Sequence, residues 1–330
     1  MNGTIATTTA PVRVSFGSCG DTDYYIDKIG WGNTLNATIR HLYNTCVITP
    51  RYDGKVFLTS GATNKSRLYE NHMEMNPFEE LSLSMMIAAA QYFGIKGIDV
   101  FTSSNSPVES GLAGSTSHMI AMIRAYNQLR GKEMPPEEEA RLAYHLERDV
   151  LGVPGGYQDQ WSIAHGGLNY MEFRPRGQVD VYPLALTADE KSYLPGRMML
   201  GCVPRDKAGA DIHIDQAQVL KKDEAHIIDI LRRKRDNTAA MKDTLERRDY
   251  DEFGRMMGRD WEYKRQLSEQ ASNPRVDRIY RAAIDAGALG GRFIGAGGGG
   301  GLLFYCGDRC EEVKQRLGKM GVRTLPFELE

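Results

Sequence analysis

Glu147 and Asp159 flank a glycine-broken stretch, Leu146-Glu147-Arg148-Asp149-Val150-Leu151-Gly152-Val153-Pro154-Gly155-Gly156-Tyr157-Gln158-Asp159-Gln160. A helix end can hold a divalent cation through Glu147 while the loop brings Asp159 to a substrate hydroxyl, the division of labour that phosphoryl transfer requires. A plain helix stop fits the same composition. Gly152, Pro154, Gly155 and Gly156 end helices routinely, and acidic residues beside such ends are usually solvated. The spacing alone does not choose between them.

A second segment, Pro107-Val108-Glu109-Ser110-Gly111-Leu112-Ala113-Gly114-Ser115-Thr116-Ser117, follows a predicted strand and leads into a predicted helix. Free amides at that helix start, with the positive end of its dipole, suit an anion, and Ser115 and Thr116 suit a phosphate or a metal-bound water. The G-x-x-x-x-G-K-[ST] pattern of the common phosphate loop is absent. Ordinary serine capping of a helix is the plainer reading.

The third segment, Gly295-Ala296-Gly297-Gly298-Gly299-Gly300-Gly301, matches G-x-G-x-x-G. A dinucleotide fold would need a helix after these glycines and much further sheet, whereas residues 302–305 read as a strand and the chain soon stops. A hinge between lobes and a wall beside bound phosphate remain equally open.

Positioning these segments takes a chain of strands and helices. Residues 12–17, 45–49, 55–59 and 97–103 read as strands, being short, β-branched or aromatic and bounded by turn residues. Helical periodicity marks 78–93, 117–130 and 136–151, and further strands are expected at 167–173, 179–183 and 197–203. Charged helices are expected over 222–235, 238–246, 250–268 and 274–286, their interleaved charges forming a solvated face. A composition shift at Thr187-Ala188-Asp189-Glu190 marks a crossing into a second lobe, and 330 residues are more than one compact core normally holds.

The balance of 41 basic and 43 acidic residues gives no general attraction to nucleic acid or acidic membranes. No apolar run approaches membrane-spanning length, and the first residues read as neither signal peptide nor anchor. Five scattered cysteines suit a reducing cytoplasm, and Cys306 with Cys310 is too little for a zinc site. Asp211, His213 and Asp215 alternate as metal ligands on a strand would, but a solvated edge explains them. Trp161 and His165, near Asp159, either shape a substrate pocket or pack the lobe.

Pro11-Val12-Arg13-Val14-Ser15-Phe16, the Leu146 to Gln160 stretch with His165-Gly166-Gly167-Leu168-Asn169-Tyr170-Met171-Glu172-Phe173, and Ser272-Asn273-Pro274 before the glycine run together resemble the GHMP kinase superfamily. The likeness is nearest to its heptose kinases, which phosphorylate D-glycero-D-manno-heptose 7-phosphate at the anomeric oxygen, and to fucokinase-like sugar kinases. It spans nearly the whole chain. The resemblance implies an α+β, two-lobe fold: a lobe like ribosomal protein S5 domain 2 over residues 1–187 and a ferredoxin-like lobe over 188–330, with ATP and a small hydroxylated substrate between them. It implies a cytoplasmic enzyme, monomer or homodimer, that binds neither nucleic acid nor membrane.

By the same resemblance, Asp159 polarises the acceptor hydroxyl and Arg13 is the cation near the transferring phosphate. Glu147 and Ser115 hold Mg2+. Gly111, Leu112, Ala113, Gly114, Ser115, Thr116 and Ser117, with Gly297 and Gly298, meet the nucleotide. Gly156, Tyr157 and Gln158 meet the acceptor, together with Asp23 or, in the other register of Gly17-Ser18-Cys19-Gly20-Asp21-Thr22-Asp23, Asp21; Asp23 is the favoured one.

Three departures stand out. The first motif is altered at residues 17–23, Glu109 stands where a glycine is common, and Tyr157 replaces a lysine frequent in heptose kinases. A carboxylate beside polyphosphate is unfavourable unless it turns away or meets a cation. The altered loops leave two alternatives to a heptose 7-phosphate kinase: a kinase of a cyclitol or natural-product intermediate, and a non-catalytic ligand-binding descendant.

Overall fold

In the computed structural model, which describes residues 4–205 and 224–330, the chain starts on a long antiparallel pair. Strand β1 (Ala6–Ser18) lies against β2 (Gly32–Pro50), with register shifts between Pro11 and Val12 and between Ser15 and Gly17. The first shift falls where proline, lacking an N–H, cannot donate to the ladder. Side chains on a strand alternate between faces, so Val12, Val14 and Phe16 form one row and Arg13 and Ser15 the other. The apolar row joins a core cluster with Met241 and Phe253 from the C-terminal half, while Arg13 reaches toward helix α5.

Between the paired strands sits α1 (Thr22–Ile29), where sequence reading placed no element. Strands β3 (Val56–Ser60), β4 (Lys65–Tyr69), β5 (Ile98–Ser104), β6 (Leu168–Arg174) and β7 (Gln178–Pro183) complete a sheet ordered β4-β3-β5-β2-β6-β7, with β1 on β2. Its helices are α2 (Ser84–Phe93), α3 (Gly114–Leu129), α4 (Pro136–Tyr144) and α5 (Gln158–His165). Their buried faces, with Met119, Ile120, Ile123 and Trp161, form one core with Ile48, Val56 and Val100 of the sheet.

Helix α4 does not stop at Tyr144. It widens into a π-helical turn over His145–Val150, which carries Glu147 inward. Such turns displace the residues that follow from the face a regular helix would give them, and they are frequent at functional sites.

The second sheet contains β8 (Met198–Val203), β9 (Gly290–Phe293), β10 (Gly300–Tyr305) and β11 (Arg323–Thr324), in the order β11-β8-β10-β9 and antiparallel throughout. Counted within the sheet, that order is 4-1-3-2, the arrangement of a ferredoxin-like β-α-β-β-α-β unit. The composition shift read near residue 187 is the capping box of α6 (Ala188–Gly196), formed by Thr187 and Glu190. The helices expected at 222–235 and 238–246 form one continuous helix, α7 (Glu224–Glu246), as far as it is described. It packs on α8 (Tyr250–Leu267), followed by α9 (Pro274–Asp285) and α10 (Cys310–Gly318). No helix among the described residues is long and apolar enough to cross a membrane. Asp211, His213 and Asp215 lie outside the described residues.

Candidate functional site

The loop between β5 and α3 is held open at the start of the helix. Its N-cap is Ala113, at φ 60° and with no side-chain cap, so the serines that follow do not close the helix end as ordinary capping would. Gly111 has φ +73°, and a Cβ there would come 2.7 Å from the Ile294 carbonyl oxygen; only glycine fits both demands. The contact comes from the glycine-rich turn between β9 and β10, whose Gly301 amide donates to Ser110 at 2.6 Å. That turn therefore buttresses the loop from behind.

The expected nucleotide residues divide by position. Gly111, Ala113, Gly114 and Ser115 line a cavity of about 1120 Å³, with Arg13 and Asp159 at one end. Leu112 is buried in the core, and Ser117 donates to the Ala10 carbonyl and accepts from Asn44, so both fix the loop rather than face the cavity. Thr116 turns toward Glu147. Gly297 and Gly298 do not line this cavity either: the Gly298 amide donates to the Ala271 carbonyl, and Gly295 and Ala296 face the cavity instead. His118, also on its wall, is half-buried, and desolvation pushes its pKa down to about 4 and leaves it neutral.

Arg205 went unnoticed in the sequence. Its guanidinium lies against Gly300 and Gly111, with Nε and Nη2 lacking partners among the described residues, and it opens on the same cavity. Burial lowers its pKa and the Glu109 carboxylate opposes that effect, so Glu109 meets a cation, as a carboxylate in a phosphate loop must.

Asp159, in the first turn of α5, accepts from Arg13 through Nε (3.0 Å) and Nη2 (2.6 Å), both on Oδ1. Arg13 Nη1 donates to the Gly111 carbonyl at 2.8 Å, tying the carboxylate to the loop. Among the described residues no donor reaches Oδ2 of Asp159, whose side chain is 23% exposed. Glu147 is buried and accepts from the Thr116 hydroxyl at 3.0 Å and from the Gln160 side-chain amide. Burial raises its pKa, while nearby Arg148 and the two hydrogen bonds pull it down. Ser115, Thr116, Glu147 and Asp159 border one cavity of about 700 Å³, and Ser115 and Asp159 also share the larger one.

The loop before Asp159 is pinned by α1. The Tyr157 amide donates to Thr22 Oγ1 at 2.7 Å, and a Cβ on Gly156 would sit 2.1 Å from that oxygen. This divides the expected acceptor residues. Gly156 and Gln158 border the reacting corner, and Gln158 also lines a third cavity, of about 730 Å³, together with Asp21. Tyr157 turns the other way. It stacks on Tyr144 at 4.1 Å, beside Asp23, which accepts from the Tyr144 hydroxyl at 3.1 Å in a separate surface cavity. Burial, then the Asp21 charge, raises the pKa of Asp23. The register favouring Asp23 thus puts its carboxylate away from Asp159, whereas Asp21 faces the cavity that adjoins the reacting corner through Gly20 and Gln158.

The third cavity holds charges from two helices whose charged residues sequence reading assigned to a solvated face, and one from a strand. Lys234 of α7, Lys264 of α8 and Arg292 of β9 are buried on its wall, with Asp260 behind them. The signal was phase. Phe253, Met257, Asp260 and Lys264 fall on one stripe of α8, and Lys234 follows Ile227, Ile230 and Leu231 along α7, so these charges occupy apolar positions of their helices.

Comparison with known proteins follows the same lines. Residues 80–167 match the GHMP kinases N terminal domain and residues 241–323 match the GHMP kinases C terminal domain. A D-glycero-alpha-D-manno-heptose 7-phosphate kinase of Campylobacter jejuni is 33% identical, over 90% of this chain and 88% of its own. The crystal structure of a D-glycero-D-manno-heptose 1-phosphate kinase from Bacteriodes thetaiotaomicron superposes with a TM-score of 0.80 at 25% identity, covering 99% of this chain and 96% of that one. A Lactococcus lactis galactokinase complexed with galactose, 17% identical with a TM-score of 0.74 and covering 98% and 93%, shares the fold.

Proposed function

The chain belongs to the GHMP kinase family, and from that premise we propose that it is an ATP-dependent sugar kinase acting on the anomeric hydroxyl of a heptose 7-phosphate. The observation that carries the reading is the shared cleft: Ser115 of the uncapped helix start and Asp159 of α5 face the same cavities. An enzyme that only bound nucleotide would have no use for a carboxylate aimed into that space with one oxygen free.

In this reading the γ-phosphate of ATP rests against the amides opening α3, which α3's dipole favours, and Arg205 adds a cation. Asp159 Oδ2 accepts the acceptor's hydroxyl proton. As the bond from the acceptor's hydroxyl oxygen to the γ-phosphorus forms, the bond from phosphorus to the β–γ bridging oxygen breaks, and ADP leaves with the electron pair. Arg13 keeps Asp159 oriented through its Oδ1, so Oδ2 stays available. Asp21 and Gln158 hold acceptor hydroxyls from the third cavity.

The donor set also suits magnesium, which sits on one or two carboxylates plus substrate phosphates. Glu147, buried with a carboxylate whose charge burial disfavours, and the Ser115 hydroxyl are the groups that would hold it, and its chemistry there would be to neutralise phosphate charge. Among the described residues no cluster of three or more His, Cys, Asp or Glu offers a purely protein cage. We also assign the lobes to residues 1–187 and 188–330 and the workplace to a reducing cytoplasm, which the five free cysteines suit.

ADP release from ATP and magnesium, followed across heptoses, hexoses, their phosphates and cyclitols, tests the proposal. Turnover should be fastest with D-glycero-D-manno-heptose 7-phosphate. A preference for a cyclitol would replace the acceptor, and no ADP release with any acceptor would remove the kinase reading.

A further inference from the structure

We propose that the third cavity is a built anion site that takes the acceptor's remote phosphate, with the Lys264 ammonium as its direct ligand and Arg292 and Lys234 as flanking cations. This deepens the reading above and rests on it.

Location comes first. The cavity adjoins the reacting corner through Gly20 and Gln158, and Asp21 stands on its wall, so a sugar with its anomeric oxygen at Asp159 would extend its far end into it.

Charge comes second. Lys234 and Arg292 are each 2% exposed, Lys264 is 6% exposed, and Asp260, at 0%, pairs with both Lys234 and Arg292. Lys264 is left over. Among the described residues it makes no ion pair, and its ammonium donates only to the Gly295 carbonyl. Arg292 spends one nitrogen on the Phe16 carbonyl, and its Nε has no partner among the described residues. An ammonium out of water with one neutral acceptor, and the Trp261 ring 5.8 Å away, is costly unless an anion arrives to meet it.

Burial accordingly pushes Lys264 well below the ordinary lysine range, with Arg292 and Lys234 adding to the effect, and brings Lys234 down to about 8. A dianion in the cavity would reverse both shifts. The arrangement also supplies what Tyr157 does not. That side chain stacks on Tyr144 outside this cavity, so a phosphate held here needs no lysine at position 157.

The rival account is structural: Lys264 braces the glycine-rich turn through the Gly295 carbonyl. The discriminating quantity is the ratio of kcat/KM for D-glycero-D-manno-heptose 7-phosphate to that for the unphosphorylated heptose. Wild type should favour the phosphate by at least about 100-fold, because a neutral acceptor leaves buried cations unpaired. In Lys264→Met the ratio should fall below about 5, chiefly through KM of the phosphorylated sugar. A bracing role would lower both acceptors in proportion and leave the ratio standing, which would overturn the assignment.

Binding of both acceptors with ATP absent, by isothermal titration on wild type and Lys264→Arg, keeps the test alive if Lys264→Met does not fold. Equal affinity of wild type for the two sugars would overturn the anion site while leaving the kinase reading intact. Tight binding of the phosphorylated sugar without turnover would sink the kinase reading and keep the site.

Discussion

Two charged regions face each other across the cleft, and they are built on opposite principles. Around Asp159 the carboxylates are held by fixed partners: Arg13 takes one carboxylate oxygen and the loop carbonyl, and Glu147 has a hydroxyl and an amide. Around Asp260 one carboxylate serves two cations, and a third, Lys264, has a carbonyl and the Trp261 ring but no carboxylate among the described residues. The difference is instructive. A corner that performs chemistry needs its groups fixed before the substrate arrives, because preorganised dipoles and charges cost no reorganisation at the moment of reaction. A pocket that selects a ligand works in the other direction, by leaving a charge for the ligand to satisfy.

The largest effect expected of this contrast lies in the satisfied corner. Asp159→Asn should lower kcat by roughly 10³-fold, within the usual range for loss of a general base, with ATP affinity nearly unchanged. Because the substitution leaves the buried Arg13 facing a neutral amide, the melting temperature must be read alongside. A variant that keeps more than a tenth of wild-type turnover would take Asp159 out of the proton transfer.

Next in size is the choice between the two carboxylates of the altered first motif. Asp21→Asn should cost on the order of 10²-fold in kcat/KM for the acceptor, the scale of a charged hydrogen bond lost to substrate. It should not unfold α1, since Asp21 caps that helix through the Tyr24 amide and asparagine caps equally well. Asp23→Asn should change kcat/KM by less than about 3-fold. The reverse ranking would move the acceptor to the surface cavity beside Tyr144 and Tyr157.

Glu147→Gln should show a smaller kinetic change than Asp21→Asn, a roughly 10-fold rise in the magnesium concentration for half-maximal rate. Its stability effect sharpens the comparison. Burial raises the Glu147 pKa in the folded protein, so the native state binds the proton more tightly than the unfolded chain does, and stability falls as pH rises from the ordinary glutamate range through the folded pKa. Removing the charge should therefore raise the melting temperature at neutral pH, by about 2 °C or more if about 1 kcal/mol is recovered, and do little in acid. A lower melting temperature at neutral pH would mean that the hydrogen bonds to Thr116 and Gln160 outweigh the burial penalty.

How much of this was legible varied with the kind of signal. The strand-loop-helix around Ser115 and the helix leading to Glu147 could be read because local periodicity and glycine punctuation encode them. Helix α1 was missed, since Thr22–Ile29 is short and nearly neutral in mean hydropathy, and its stability comes from Tyr25 packing against Ile227 and Leu231. The π-helical turn at His145–Val150 has no residue signature at all. It follows from how α4 must end to bring Glu147 under Thr116.

The buried cations mark the same boundary from the other side. Sequence alone determined that this chain carries two lobes, an anion-cradling helix start, a carboxylate after a glycine break and a run of glycines, because each is a local pattern with a local physical cause. Tertiary structure alone decided that Gly295 rather than Gly297 meets the loop and that Asp21 rather than Asp23 faces the cavity adjoining that of Asp159. It also decided that Lys234, Lys264 and Arg292 are taken from water together. Each of these depends on residues far apart in the chain, brought together by tertiary packing such as that of β1 against α7 and α8, which no short window of sequence contains.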